Sequence, residues 1–326
     1  VILVTGGTGL LGNCVIRELV SRGTEVRALC RQGTSREPFA GLDLEVVQGD
    51  LSSSDQLRRY TQDCEAVIHS AALIHIGWTR LAESRQVNVE GTRHVVEACL
   101  ANGARLVHIS TVDTFPAASS IEAPISESSS TGVPKVPCNY VVSKREADDV
   151  VRCAVREQGL NAVLIHPGLM LGPYDWKPSS GRLMLGVAKA PLAIAPTGGC
   201  SLCDPRDVAN AIVNAVQFGA PGQSYITAGH NMPYRALWQH ILAAAGKNNK
   251  RVLSPQLVLG TAGLVTDGLV KLLGIQESDI NSAAIAMGRL LHYYESENAR
   301  QQLGYSVRPW ESSLTDAWRW LTSRSR

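Results

Sequence analysis

The sequence lacks an excess of charge of either sign. Its 326 residues include 31 basic and 29 acidic side chains, a formal charge of +2. No block of Lys or Arg disturbs that balance, which argues against a protein that binds nucleic acid by neutralising phosphates. Aromatic residues make up only 5%, although six of them are Trp, and charged residues 18% against 44% hydrophobic. Those proportions exclude a disordered chain and suit a globular enzyme. Cysteine is sparse for a disulfide scaffold: Cys14, Cys30, Cys64, Cys99, Cys138 and Cys153 stand singly, as reduced thiols of a cytoplasmic protein would. Cys200 and Cys203 form a lone C-x-x-C with no second pair and no His at ligand spacing, so no metal site is expected. Uninterrupted apolar runs are also missing. The longest candidate, Leu257 to Ile275, contains Asp267 and Lys271 and is diluted by Gly and Thr. It reads as a buried or surface-lying helix, not a membrane span. The chain opens on Val1-Ile2-Leu3-Val4 with no Met and no signal-peptide layout, so one or two preceding residues and a cytoplasmic location are expected.

What is present is alternation. Val1–Thr5, Glu25–Cys30, Leu44–Val47, Ala66–His69, Arg105–Ser110 and Ala162–His166 read as strands that are largely apolar. Between them Leu10–Arg22, Ser54–Thr61, Leu81–Asn102 and Tyr140–Glu157 have helical spacing. Such a series predicts an α/β fold, a doubly wound parallel sheet covered on both faces. After Gly168 the rhythm breaks. Helices are expected at Pro205–Phe218, Tyr234–Ala245, Gln256–Leu273 and Trp310–Ser323, with one strand, Gln223–Ala228, returning to the sheet. The division is therefore a dinucleotide-binding part over 1–168 and a smaller, irregular substrate-binding part over 169–326 that sends segments back.

Gly6-Gly7-Thr8-Gly9-Leu10-Leu11-Gly12 follows the first strand and opens the first helix. Glycines there let the backbone approach a pyrophosphate, and the helix N-terminus offers amide donors and partial positive charge. The spacing Gly6-x-x-Gly9-x-x-Gly12 resembles that of the extended short-chain dehydrogenase/reductases. Gly49-Asp50-Leu51, His69-Ser70-Ala71-Ala72 and Asn88-Val89-Glu90-Gly91-Thr92 continue the likeness. The resemblance implies cofactor contacts at Gly6, Gly9, Leu10, Leu11 and Gly12, then at Asp50, Leu51, Ala71 and Ala72. It implies further contacts at Ser110, Tyr140, Lys144 and Pro167, and a homodimer formed through the Leu81–Asn102 and Tyr140–Glu157 helices. NAD enzymes commonly end the second strand with a carboxylate that bonds the adenosine ribose. Here Cys30 occupies that place, followed by Arg31, with Arg36 close by. A 2′-phosphate would meet no like charge and could pair with Arg31, so NADP(H) is expected over NAD(H).

Tyr140 and Lys144 lie four residues apart at the start of a helix, on one face. A neighbouring ammonium favours a phenolate, so Lys144 is expected to lower the pKa of Tyr140, the general acid or base of a carbonyl–alcohol interconversion. The resemblance gives Lys144 the nicotinamide ribose as well. It also makes Thr111, in His108-Ile109-Ser110-Thr111, the donor to the substrate oxygen, and leaves Ser110 for the nicotinamide side. Sugar-nucleotide relatives carry an Asn where this chain has Leu169, which points to the dihydroflavonol-reductase and 3β-hydroxysteroid-dehydrogenase branch. His75, Trp78 and Trp176 are the candidate substrate contacts, suited to a ring-bearing, partly apolar small molecule. Trp310, Trp318, Trp320 and His292-Tyr293-Tyr294 read as structural, and Asp207 as a helix cap. Two rivals remain open: an epimerase or dehydratase with retained NAD, and a non-catalytic, cofactor-sensing regulator.

Overall fold

A computed structural model describes residues 1–129, 132–254, 267, 277 and 281–324. The first apolar runs become strands β1 (Ile2–Thr5), β2 (Val26–Cys30), β3 (Glu45–Gln48), β4 (Ala66–His69), β5 (Arg105–Ile109) and β6 (Ala162–Pro167). The intervening helices are α1 (Leu10–Ser21), α2 (Ser54–Thr61), α3 (Leu81–Arg85), α4 (Gly91–Asn102) and α5 (Asn139–Gln158). The run 81–102 is thus not one regular helix. A π-helical stretch, Gln86–Glu90, joins α3 to α4 and turns Asn88 inward. Asn88 accepts from the Leu73 amide at 2.7 Å and donates to the Leu73 carbonyl at 3.0 Å and Ser143 Oγ at 2.9 Å. It fastens the segment after β4 to α5.

Beyond β6 come β7 (Leu169–Met170), α6 (Ser180–Lys189), β8 (Ala193–Ile194), β9 (Gly199–Cys203), α7 (Pro205–Phe218) and β10 (Ser224–Thr227). They are followed by β11 (His230–Pro233), α8 (Tyr234–Ala244), β12 (Val252–Leu253), α9 (Ser282–Met287), α10 (Glu297–Leu303) and α11 (Trp310–Ser323). Sequence periodicity missed α6, whose apolar face is diluted by Gly181 and Gly186, and the short strands β7, β9 and β11. The expected helix 256–273 and the apolar stretch 257–275 lie outside the described residues apart from Asp267. Among the described residues no helix is long and apolar enough to cross a membrane.

The central sheet is seven-stranded and parallel, in the order β10-β6-β5-β4-β1-β2-β3. From β1 the chain runs outward to β3 and then returns to the other side of β1 as β4. The loops after β1 and β4 therefore leave the carboxyl edge side by side, at the switch point where α/β sheets bind ligands. One face is covered by α1, α7 and α10 through Ile16, Leu19, Val208, Ile212 and Leu303, and the other by α2, α4 and α5 through Leu57, Val95, Cys99 and Val151. The later region has its own core, in which Met184, Leu237, Trp238, Ile241, Leu314 and Leu321 meet. Residues of the later part also complete the first core, and β10 completes the sheet beside β6. Asp204, not Asp207, caps α7 by accepting from the Arg206 amide; Asp207 instead bonds the Arg308 amide at 2.8 Å. Cys200 and Cys203, three apart on a strand, point to opposite faces and enter different cores.

Candidate active site

The glycine turn is set by how closely other backbone approaches it. Gly6 has φ +73, and a Cβ there would lie 2.6 Å from the Ala71 amide nitrogen. A Cβ on Gly12 would overlap the Gly6 carbonyl oxygen, far closer than any van der Waals contact. Only glycine lets the β1 and β4 loops close on each other while α1 starts immediately. Gly9 caps α1 without a side chain, and the first turn contains no acidic residue. Leu10 and Leu11 anchor that turn in the core. Uncapped amides, a positive helix end and a cradle too narrow for a Cβ all fit a nucleotide pyrophosphate.

At the end of β2, burial pushes the Cys30 thiol up while Arg36 and Lys177 pull it down. Asp50 accepts from the Ser52 amide at 2.9 Å and is held below the usual carboxylate range by that bond and by Arg31. Cationic side chains from three places in the sequence, Arg31, Arg36 and Lys177, therefore surround the positions expected to receive the adenosine end. Lys177 was not legible as part of this group, because nothing local ties it to β2. The Leu51 carbonyl faces His94 Nδ1 at 2.7 Å, which fixes the adjoining turn against α4.

Thr111, Tyr140 and Lys144 meet where β5 ends against the start of α5. Lys144 is buried and donates to the Ile109 carbonyl at 2.7 Å. Burial lowers its pKa to about 8, opposed by Asp148 one turn further along α5. The Tyr140 phenol is not depressed as the sequence suggests. Burial and the Asp113 carboxylate push it up, and the neighbouring Thr111 side chain works in the other direction. The reason is geometric: the Lys144 ammonium is engaged by the Ile109 carbonyl, whereas carboxylates face the phenol. Ser110 donates to Asp148 at 2.8 Å, so its hydroxyl is turned into the protein. Pro167 ends β6, paired with Thr227.

Thr111 also bonds Asp113, at 3.1 Å through its hydroxyl, and Asp113 pairs with His292 at 3.3 Å. His292, expected to be structural, is therefore linked through Asp113 to the Thr111 hydroxyl. Apolar contact to Tyr140 comes from the group that holds Ile76, Val136, Cys138, Met287 and Leu290. His75 and Trp78 belong to the loop after β4 and are both tied to Glu277. Glu277 accepts from the amides of Trp78 and Thr79, from Thr79 Oγ1 at 2.7 Å, and faces His75 Nε2 at 3.0 Å. Trp78 stays 43% exposed, with Nε1 donating to Ser282 at 2.9 Å. Trp176 is engaged elsewhere. Its Nε1 donates to Asn13 of α1 at 3.1 Å, its ring meets Trp320 edge-on, and Arg324 stacks on it at 4.1 Å. The sequence placed it near substrate because it follows Gly172-Pro173, but the chain turns there towards α1.

A glycine-turned parallel sheet with a Tyr and a buried Lys one helical turn apart defines a nicotinamide-dependent class of enzyme. The model of the NAD dependent epimerase/dehydratase family matches residues 2–228, and the chain belongs to that family. It is an NAD(P)-dependent enzyme of the extended short-chain dehydrogenase/reductase type. Similar proteins include a Synechocystis sp. protein named "Putative dihydroflavonol 4-reductase", 28% identical over 98% of this chain and 93% of that one. Another is the sterol demethylase protein B of Methylococcus capsulatus, 28% identical over 99% and 98% of the two chains. The crystal structure of gox2253 superposes with a TM-score of 0.85 at 30% identity, covering 100% of this chain and 99% of the other.

Proposed function

We propose that the chain is an NADP(H)-dependent oxidoreductase that interconverts a ketone or aldehyde and an alcohol on a ring-bearing, partly apolar small molecule. The convergence of Thr111, Tyr140 and the buried Lys144 where β5 ends against the start of α5 is the observation on which this rests. The glycine turn and the α1 N-terminus would hold the pyrophosphate, and Arg31, Arg36 and Lys177 a 2′-phosphate. Bound nicotinamide supplies the hydride in one direction and accepts it in the other. Tyr140 gives a proton to the substrate oxygen or takes one from it. Thr111 holds that oxygen, and Lys144 brings positive charge to the site while it stays protonated. Ile76, Met287 and Leu290 exclude water from one side of the phenol. Two features favour the apolar substrate class over sugar nucleotides. Leu169 pairs with Leu202 of β9 and packs on an apolar core, offering nothing to a diphosphate. Several relatives also bear reductase names for carbon-rich substrates, among them a ceramide reductase.

The cofactor assignment is tested by measuring NADPH and NADH affinity in the wild type and in Arg31→Ala. The wild type should prefer NADPH, and Arg31→Ala should lose about tenfold in NADPH affinity with little change for NADH, the size of one charge-assisted bond. An unchanged preference would remove the argument from Arg31.

A further inference from the structure

The hydroxyl of Thr111 has one proton and two lone pairs. In the structure that proton faces Asp113 Oδ2 at 3.1 Å, while the Asp113 amide donates to Thr111 Oγ1 at 3.3 Å. One lone pair is left over. A Thr111 hydroxyl held in this way cannot also donate to a substrate oxygen, which is the task given to it above. Whether it can turn depends on how strongly Asp113 holds the proton. That is governed by what faces the other carboxylate oxygen, His292 Nδ1 at 3.3 Å.

The His292 ring is oriented from its far side. Nε2 lies 3.1 Å from the Met287 carbonyl, an acceptor only, so Nε2 bears a proton. Nδ1 then faces a carboxylate oxygen, a contact that is attractive only with a proton between the two atoms. The Tyr294 hydroxyl is further away, at 3.5 Å, and could donate only to a bare Nδ1. Among the described residues, Tyr140, Cys138, Tyr234 and Tyr294 are also in electrostatic reach of Asp113. Among the described residues, His292 is the one ion-pair partner recorded for Asp113.

We propose that Asp113 and His292 form a positioning pair, in which the His292 proton neutralises Asp113 and so frees the Thr111 hydroxyl to turn to the substrate oxygen. No bond to substrate is made by either residue, and the pair keeps its one shared proton throughout. This rests on the reading of Thr111 and Tyr140 given above. Removing His292 leaves a bare carboxylate that grips the Thr111 proton; removing the carboxylate as well relieves the grip.

The consequence is a rescue that a merely structural pair would not show. His292→Gln should lower kcat about tenfold with little change in KM, the size of one hydrogen bond to a charged group. Adding Asp113→Asn to His292→Gln should recover most of that loss. Additive losses in the double variant would overturn the proposal. A second measurement needs no turnover: nitrogen NMR of the His292 ring in the folded wild type and in Asp113→Asn under the same conditions. Two protonated ring nitrogens in the wild type, reduced to one in Asp113→Asn, are expected. Equal ring protonation in both would overturn the pair even in an active enzyme. If Tyr140→Phe turns over normally, the catalytic reading fails while the ring measurement still decides the pair.

Discussion

Three histidines lie in the sheet itself, on β4, β5 and β6, and all three are buried: His69, His108 and His166. Desolvation favours the neutral ring, lowering His166 to about 4 and the other two well below the usual imidazole value. Asp148 stands 3.3 Å from His108 and opposes the shift at His166, but burial wins. The sign of the resulting pH dependence follows. Between about 6.5 and about 4 the unfolded chain binds protons that the folded chain refuses, so stability falls as pH falls through that window. His166 alone should account for about 3 kcal/mol of that loss. Denaturant midpoints measured across the window should fall less steeply in His166→Gln than in the wild type. Identical slopes would contradict the assignment. None of this is visible in the sequence, where three His at strand ends look like any others; their burial is a product of the sheet order.

At the scale of elements, the loop after β4 is held by one carboxylate from far along the chain. Glu277, nearly inaccessible, accepts from two amides and a hydroxyl and faces His75. Removing it would leave those donors unpaired, at a cost of about 1–3 kcal/mol for each one that stays buried. Glu277→Ala should therefore increase protease cleavage and amide exchange within 75–79 while leaving α5 protected. Protection of 75–79 equal to the wild type would refute the clamp. The strands and helices of the first half were legible because period-2 and period-3.6 patterns are local, and so was the Tyr140–Lys144 pair, since both residues share one helix face. What was not legible depends on contacts across the chain. Asp113–His292, Glu277–Trp78 and Trp176–Asn13 each join residues more than a hundred positions apart. No spacing rule reports such a pair, so the partners of His292 and Trp176 could not be read from the sequence.

For the whole molecule, near-neutral net charge conceals a local concentration. Arg31, Arg36 and Lys177 act on the groups at the ends of β2 and β3, and Lys144 lies buried by β5. At the glycine turn it is backbone, not side chains, that lines the space between the β1 and β4 loops. The same layout explains why the later half of the chain does not fold away from the first. β10 extends the sheet, α7 and α10 seal one face, and the segment around His292 returns to the ends of β5 and α5. In the proposed reaction the proton chemistry sits on α5, and the side chains placed around it include Met287, Leu290 and His292 from the later half. The most direct test of this account is NADPH oxidation with a panel of ring-bearing ketones, in the wild type and in Tyr140→Phe, alongside NADPH affinity for both. The account predicts that Tyr140→Phe binds NADPH within a few-fold of the wild type but loses at least about a hundredfold in kcat, the share of a general acid. Turnover by Tyr140→Phe at the wild-type rate would contradict it.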